Sequence, residues 1–384
     1  MNVESLTLVN SDLAAYLTRL GVDCTSNQDE VIRKLELLLG EPRFGRLLDL
    51  LYGDHEQSDT QELYGLFATA SESNLFISLQ SKVMLETSTA IYQRLLPHLA
   101  AGSRIADLGC FTGGLIGWMA ARHPECQFVG FDCNPKAIQF AAELSSAENL
   151  VFGCWDYARE LPPDVPPFNL LYSIFGLEFH AVRDQDRRYS LDLAQVLDCP
   201  MYRGTLAIAH PCFLSWRRVA HADCRLFVVL RINCIEQLQA VIDAAEASGW
   251  QVSLAESSKV ASDDESFALL TFVAGDTDPA DLKSVLDWWC RQQEEGRSAR
   301  FLDGDHALQA CRLLPDPKPI TVRDFHYPDG HTMRLELGLA GEQYYLLHRS
   351  TAGFTQLQML PPNVAEQVKL DELDAIELPF SAGE

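Results

Sequence analysis

The stretch RIADLGCFTGG at residues 104–114 decides the fold of this chain. A short apolar run ends in Asp107, a glycine-containing turn follows, and a helix is expected to begin near Leu115. Gly109 and Gly113 let the backbone bend tightly and approach a ligand, which a side chain would block. A strand, a glycine turn and a helix in this order predict that a nucleotide-type ligand is held at the carboxyl end of a parallel strand.

Two further predicted strands end in acidic residues. The strand QFVGFD at 127–132 ends in Asp132, which can accept hydrogen bonds from a ribose diol or can cap the helix that begins after Asn134-Pro135. The strand that begins at Leu150 ends in Asp156. Asp156 either contacts the ligand or is a plain turn residue. Trp155 beside it either flanks a flat base or packs in the core. A fourth strand, FNLLYSIF at 168–175, follows a proline-rich turn.

With these motifs, residues from about 100 to 275 resemble a class I S-adenosylmethionine-dependent methyltransferase of the small-molecule type. The family's motifs are a strand with Asp-x-Gly-x-x-x-Gly, two strands that end in acids, and a fourth strand near the methyl donor. The resemblance implies an α/β fold with a doubly wound, mostly parallel seven-stranded sheet, and S-adenosylmethionine as the cofactor. A nicotinamide cofactor is disfavoured because Gly-x-Gly-x-x-Gly does not follow the strand.

The resemblance also implies roles for individual residues. Asp107 and the glycine turn are expected at the amino acid part of the cofactor, Asp132 at its ribose and Asp156 at its adenine amine. The full set expected to contact the cofactor is Asp107, Gly109, Cys110, Thr112, Gly113, Asp132, Trp155, Asp156, Ser173 and Ile174. The chain departs from the family at two positions: Phe111 stands in place of a common glycine and Asn169 in place of a common Asp. Phe111 implies a different loop path or a bulky wall over the cofactor.

The segments after the fourth strand are expected to follow the family's order. We expect a helix at 184–197, a fifth strand at 204–210 and an amphipathic helix at 235–247 that Gly249 ends. A late hairpin then follows, with strands at 250–256 and 267–273 joined by a polar turn at 257–265. Because all these segments agree with the family, they indicate the fold more strongly than the glycine turn does alone.

The catalytic candidates are side chains that can take a proton from the acceptor. Methyl transfer from a sulfonium is a direct displacement, so a general base is needed only when the acceptor arrives protonated. Glu178 and His180 follow the fourth strand, where the resembling O-methyltransferases place a catalytic His. Either residue can serve as the base, or both are solvated or structural polar residues. His210, at the end of the expected fifth strand, is a third candidate.

Composition narrows the partners and the compartment. The formal charge of −24 disfavours a nucleic-acid partner, which needs clustered Lys and Arg. The 11 cysteines include no Cys-x-x-Cys pair, so neither a disulfide framework nor a zinc site is indicated. No signal peptide and no membrane span is recognised. We therefore expect a cytoplasmic protein with a small-molecule acceptor and no metal, no nucleic-acid partner and no membrane partner; homodimerisation is left open.

Three regions are expected along the chain of 384 residues. Residues 1–99 form a helical lid or dimerisation region, residues 100–276 form the cofactor-binding domain, and residues 277–384 form an accessory domain with helices and a β-meander at about 319–361. The expected function is methyl transfer to a small molecule. The alternatives are a non-catalytic scaffold that keeps this fold, a methyltransferase for a protein or carrier-bound acceptor, and an aminopropyl transferase.

Overall fold

The computed structural model describes most of the chain and divides it into two compact units. The described residues are 3–52, 60–177, 200–232, 235–262, 265–275, 280–281, 284–285, 288, 301–303, 311, 314–326, 332–341, 343–350 and 355–360. One unit comprises Met1–His180, Ala207–Arg231 and Ile242–Pro279; the other comprises Ala181–Leu206, Ile232–Val241 and Ala280–Glu384. The three-region division expected from the sequence stays a prediction.

The first unit begins with helices, as the sequence predicted. They are α1 (Val3–Arg19), α2 (Gln28–Leu39), α3 (Glu41–Tyr52), α4 (Thr60–Gly65), α5 (Ala70–Ile77) and α6 (Ser81–Leu95). Helix α2 shows why such segments are helical: the Asn27 side chain caps its amino terminus by accepting from Glu30 N–H. Val31, Leu35 and Leu39, four residues apart, bury one face of this helix. The spacing of apolar residues therefore identified these helices correctly.

An eight-stranded sheet forms the centre of the first unit. The strands of this sheet, with the helices that lie between them in the sequence, are β1 (Arg104–Leu108), α7 (Gly114–Arg122), β2 (Gln127–Asp132), α8 (Pro135–Leu144), β3 (Leu150–Cys154), β4 (Phe168–Ile174), α9 (Pro200–Arg218), β5 (Ala220–Leu230), α10 (Ile235–Glu246), β6 (Trp250–Val252), β7 (Ser258–Ser262) and β8 (Glu265–Ala274). The strand order is β3-β2-β1-β4-β5-β8-β6, with β7 also paired to β8. Strands β1 to β5 pair in parallel, whereas β6, β7 and β5 each pair antiparallel with β8.

This topology confirms the predicted doubly wound, mostly parallel α/β sheet. Strand β1 lies between β2 and β4, so the order of strands reverses direction there. Ligands of open α/β sheets bind outside the carboxyl ends of the strands at such a switch point. The residues that follow β1, β2, β4 and β5 therefore meet at one edge of the sheet.

The expected fifth strand at 204–210 was wrong. These residues lie within helix α9, and the fifth strand is β5, from Ala220 to Leu230. The buried residues Thr205, Ala209, Cys212 and Trp216 recur at helical spacing, which shows that the apolar run is one face of a helix. A short apolar run such as Leu206–Ala209 fits a buried strand or a buried helix equally well, so its length did not distinguish the two.

The expected polar turn at 257–265 was also wrong in part. Residues Ser258–Ser262 form strand β7, which pairs antiparallel with β8, with Ser258 opposite Leu269 and Val260 opposite Phe267. The predicted helix near 235–247 is confirmed as α10, and Gly249 after it has a left-handed φ of 82°. The helix expected at 184–197 lies outside the described residues.

The second unit contains the predicted β-meander, now seen as a five-stranded antiparallel sheet. Its strands are β9 (Phe301–Asp303), β10 (Lys318–His326), β11 (Thr332–Ala340), β12 (Gln343–Ser350) and β13 (Thr355–Leu360), in the order β10-β11-β12-β13-β9. Leu335, Leu337 and Leu346 pack together on one of its faces, as expected of alternating strands. Within the described part of the whole chain, no helix is long and apolar enough to cross a bilayer.

Candidate functional site

The glycine turn after β1 approaches its neighbours too closely for larger residues. Gly109 and Gly113 have left-handed φ values of 89° and 73°. A Cβ on Gly113 would lie 2.7 Å from the ring of Phe152 on β3, and one on Gly109 would lie 3.0 Å from the Cα of Gly176 beyond β4. Both conformation and space therefore require glycine at these two positions. The turn leads directly into α7, as the sequence predicted.

The bulky side chain of Phe111 lies in this turn and packs against a neighbouring helix. Its φ of 49° is left-handed, which is uncommon for a bulky residue and costs free energy. Its ring packs against Tyr64 of α4, with the ring centroids 4.8 Å apart, and its N–H donates to Asp132 Oδ2 at 2.9 Å. The departure from the family at this position thus joins the turn both to an amino-terminal helix and to the end of β2.

Asp132 is a buried carboxylate whose oxygens are only partly satisfied. It is 8% exposed; Oδ2 accepts from Phe111 N–H and Oδ1 accepts from Asn134 N–H, each at 2.9 Å. A carboxylate has about four acceptor positions, so each oxygen can accept another donor. Burial raises the pKa of Asp132, against the lowering effect of these hydrogen bonds. Asn134, not Asp132, caps α8 by accepting from Lys136 N–H and Ala137 N–H.

Asp107 is buried more deeply, at the end of β1. Tyr172 on β4 donates its hydroxyl to Asp107 Oδ2 at 2.8 Å, and both side chains are buried. Burial raises the pKa of Asp107 to about 8, and the nearby charge of Asp132 adds to that shift while the Tyr172 bond opposes it. Asp107 therefore holds a proton near neutrality unless a cation is brought close to it.

Asp156 and Trp155, beyond β3, have different surroundings. Asp156 Oδ1 accepts from Ala158 N–H at 3.1 Å, and its side chain is 31% exposed. Asp156 thus forms a turn and still presents its carboxylate to solvent. Trp155 is only 2% exposed and packs edge-on to Phe131 and Tyr157, with centroids 5.3 and 5.9 Å apart. The structure accordingly places Trp155 in the core, one of the two positions that the sequence left open.

The end of β4 and the residues after it are held in place by hydrogen bonds, one of them to the end of β1. Ser173 is fully buried, and its hydroxyl donates to Leu108 O at 2.6 Å; Ile174 ends the strand and is half-buried. Tyr157, which is half-buried, donates its hydroxyl to Gly176 O at 2.5 Å. The chain after β4 therefore lies directly against the glycine turn. The hydroxyl of Ser173 is used in the hydrogen bond to Leu108 O.

Thr112 and Cys110 complete the turn. Thr112 donates its hydroxyl to the side-chain oxygen of Asn74 on α5 at 2.8 Å, and Asn74 in turn donates to Leu20 O. Cys110 is buried, and burial raises the pKa of its thiol well above the usual range. Sequence reasoning missed Asn74, Tyr157 and Tyr172, because no motif marks residues so far from the turn along the chain.

Of the three catalytic candidates, the structure describes only His210. Glu178 and His180 lie outside the described residues. His210 does not end a strand: it lies in the middle of α9, and its carbonyl accepts from Ser248 Oγ at 3.5 Å. Since α9 runs back toward the start of β5, His210 is not at the carboxyl edge of the sheet. Among the described residues, no cluster of His, Cys, Asp and Glu is placed to hold a metal ion.

Comparison with known proteins agrees with this geometry. Residues 105–198 match the family model described as a methyltransferase domain. They contain β1 to β4, the glycine turn and the acids Asp107, Asp132 and Asp156. This part of the chain is therefore similar to a methyltransferase domain. The match supports methyltransferase activity, with S-adenosylmethionine as the cofactor of this domain. A comparison with curated proteins gives no match.

Solved structures of methyltransferases are similar over about half of the chain. A TehB-like SAM-dependent methyltransferase from Corynebacterium glutamicum is 16% identical with a TM-score of 0.32, over 47% of this chain and 85% of that one. TrmN from Thermus thermophilus is 16% identical with a TM-score of 0.35, over 49% and 48%. A 16S rRNA (adenine(1408)-N(1))-methyltransferase mutant from Catenulisporales acidiphilia is 18% identical with a TM-score of 0.32, over 49% and 92%. These similarities do not identify the methyl acceptor.

Proposed function

We propose that this methyltransferase transfers the methyl group of S-adenosylmethionine to a small molecule, with Asp132 as the residue that holds the cofactor's ribose. The observation that carries this proposal is the buried carboxylate of Asp132, whose two oxygens accept from Phe111 N–H and Asn134 N–H and keep acceptor capacity for further donors. A ribose diol supplies two hydroxyl donors side by side. The residues present therefore fit the ribose of the cofactor.

Asp107 and the glycine turn suit the charged end of the cofactor. Asp107 has a pKa raised to about 8 by burial, and the cofactor carries an ammonium and a sulfonium. A nearby positive charge favours the carboxylate form, so binding should release a proton from Asp107 near neutral pH. The half-buried carboxylate of Asp156, which also lies 3.8 Å from Arg159 Nε, is the proposed acceptor for the adenine amine. Gly109 and Gly113 let the backbone approach closely.

S-adenosylmethionine supplies a methyl group on a sulfonium, which an acceptor takes by direct displacement. The protein's part is to align the two reactants and to exclude water. Tyr157 and Ser173 serve this alignment by fixing the chain after β4 against β1. Glu178 and His180 remain our proposed bases for an acceptor that arrives protonated.

Two observations support a small acceptor. The hydrogen bond between Thr112 and Asn74 and the contact between Phe111 and Tyr64 hold amino-terminal helices over the glycine turn. Such a cover suits a small molecule better than a long polymer. The net charge of −24 also opposes the phosphate backbone of a nucleic acid. We therefore propose that the acceptor is not a nucleic acid.

Calorimetric titration of the purified chain with S-adenosylmethionine and S-adenosylhomocysteine tests the cofactor site. We expect both to bind and Asp132→Asn to weaken both by about 1–3 kcal/mol, because one acceptor of the ribose diol is lost. Asp29→Asn, a change of the same kind on the exposed start of α2, is the matched control and should leave both affinities unchanged. Equal affinities for wild type and Asp132→Asn would refute the ribose assignment.

A further inference from the structure

A cavity of about 460 Å³ lies at the amino ends of β1 and β4. His98 and Ser103, which precede β1, and Asn169, the second residue of β4, line it. Pockets that hold small molecules have volumes of roughly 300–1,000 Å³. The length of β1, roughly 13 Å for its five residues, separates this cavity from the carboxyl edge where Asp107 lies. We call it the amino-edge cavity; it is distinct from the proposed cofactor site.

An irregularity in β5 shapes one wall of the amino-edge cavity. Phe168 pairs with Ala220 and Leu170 pairs with Arg225, so four residues of β5 lie opposite one residue of β4. The extra residues include Asp223, which lines the cavity and has a side chain that is 81% exposed. Bulges of this kind turn side chains in new directions and are common next to functional sites. This wall is therefore built by a local departure from regular strand pairing.

The two charged side chains that line the cavity already have partners. Arg225 Nη1 donates to Glu256 Oε2 at 2.5 Å, and Asp223 forms a hydrogen bond with His221. An anionic ligand would compete with Glu256 for Arg225 and would lie near the charge of Asp223. A cationic ligand would meet the guanidinium of Arg225. The lining therefore favours a ligand that carries no charge.

Two neutral side chains in the cavity keep hydrogen-bonding capacity. Asn169 Oδ1 accepts from Arg104 N–H at 3.0 Å, whereas its Nδ2 has no hydrogen bond to any residue that the structure describes. Ser103 Oγ accepts from Ala100 N–H at 3.2 Å, which leaves its hydroxyl proton to donate elsewhere. Asn169 and Ser103 together therefore offer donors to a ligand in the cavity.

His98 adds both a donor and an acceptor. Its ring is half-buried and lies nearly parallel to that of Phe227, at 28° with centroids 6.1 Å apart. Within the described part of the chain, neither ring nitrogen has a hydrogen bond. Burial lowers the pKa of His98, so the ring is neutral near pH 7 and carries one N–H and one acceptor nitrogen. Packing against Phe227 limits the ring's freedom, so less entropy is lost when a ligand binds.

We propose that the amino-edge cavity binds a neutral polyhydroxylated small molecule of the monosaccharide class. A hydroxyl group both donates and accepts, so neighbouring hydroxyls of one sugar can accept from Asn169 and Ser103 and use both nitrogens of His98. A neutral sugar also leaves the ion pair of Arg225 and Glu256 in place. This site is additional to the proposed methyl-transfer site and does not depend on it.

The test is a set of ligand-observed NMR titrations on the full chain at pH 7.5. The probes are D-glucose, D-galactose and D-mannose, each beside its uronate and its 2-amino sugar, which add one negative or one positive charge. We expect at least one neutral sugar to bind, and to bind at least fivefold more tightly than both of its charged counterparts. Inorganic phosphate should not displace it.

Two variants locate the sugar in this cavity. His98→Phe keeps a ring against Phe227 but removes both nitrogens, and should weaken sugar binding at least tenfold. Asn169→Asp keeps the acceptor for Arg104 N–H but loses the Nδ2 donor, and should weaken it at least fivefold. Asn10→Asp is the matched control, because it adds the same charge on α1 and keeps the acceptor toward Thr89 Oγ1; it should bind as wild type does. Circular dichroism and urea unfolding show that the variants are folded.

Three results would overturn the inference of a sugar site at the amino edge. The first is that wild type binds none of the neutral sugars. The second is that a charged counterpart or phosphate binds as tightly, which would indicate an ion site. The third is that His98→Phe and Asn169→Asp, both folded, bind the sugar as wild type does. Failure of S-adenosylhomocysteine to bind would refute only the proposed function, because the two sites lie at opposite edges of the sheet.

Discussion

The hydroxyl of Thr112 donates a 2.8 Å hydrogen bond to the side-chain oxygen of Asn74, and both side chains are buried. This bond joins the glycine turn to helix α5, which lies far away in the sequence. Asn74 also donates to Leu20 O at 2.6 Å, so the same side chain reaches the end of α1. The glycine turn is therefore held in part by the amino-terminal helices.

Thr112→Val should lower the free energy of unfolding by about 1–3 kcal/mol, because it leaves the buried oxygen of Asn74 without its donor. It should also weaken S-adenosylhomocysteine binding, since the turn loses a support. Thr112→Ser keeps the hydroxyl and should recover most of both. Urea unfolding and calorimetry measure the two effects. If Thr112→Val and Thr112→Ser were equally stable, the hydrogen bond would have no role in holding the turn.

Asp107 should make the protein less stable as the pH rises from about 4 to about 8. Its pKa is about 8 in the folded chain and near 3.9 when unfolded, so the folded state holds a proton that the unfolded state lacks in this range. The contribution of Asp107 to the free energy of unfolding then falls by up to about 1.4 kcal/mol per pH unit. Asp107→Asn should remove this slope. Urea unfolding at pH 5.5 and pH 7.5 compares the two, and parallel slopes would contradict the prediction.

Tyr172→Phe should raise the pKa of Asp107 further, because the Tyr172 hydroxyl is the donor that opposes the effect of burial. We expect a loss of about 1–2 kcal/mol in the free energy of unfolding, from a lost buried hydrogen bond. In the Asp107→Asn background the amide oxygen can still accept from Tyr172, so the loss should persist while its pH dependence disappears. Urea unfolding of the two single variants and the double variant across pH measures how far the effect of Tyr172→Phe depends on the charge of Asp107. If the loss stayed pH-dependent in the Asp107→Asn background, its pH dependence would not come from Asp107.

Gly113→Ala should destabilise the chain by about 1–3 kcal/mol and strongly weaken cofactor binding. The new Cβ meets the Phe152 ring at 2.7 Å, and φ is 73°. Gly45→Ala is the matched control, because Gly45 lies inside α3 with nothing within 4 Å of its Cβ position. That change should be neutral or stabilising by up to about 1 kcal/mol. Thermal unfolding and calorimetry measure both variants; equal behaviour would show that the close approach at Gly113 is not limiting.

Much of the fold could be predicted because its signals are local. The glycine turn at 109–113, the acids that end β2 and β3, and the apolar spacing in α2 each lie within a few residues of one another. The segment 204–210 was misassigned because its short apolar run, Leu206–Ala209, fits both a strand and a helix. Only the helical burial of Thr205, Ala209 and Cys212 distinguishes the two.

Short segments of sequence were enough to establish the class of the sheet, its first four strands, the glycine turn and the positions of Asp107 and Asp132 at strand ends, because backbone geometry and strand ends depend on neighbouring residues. The tertiary structure alone decided that Asn74 fastens the turn, that Tyr172 bonds to Asp107, and that His98 lies against Phe227. These contacts join residues far apart in the chain. Their energies depend on burial and on strand register, which no short motif encodes.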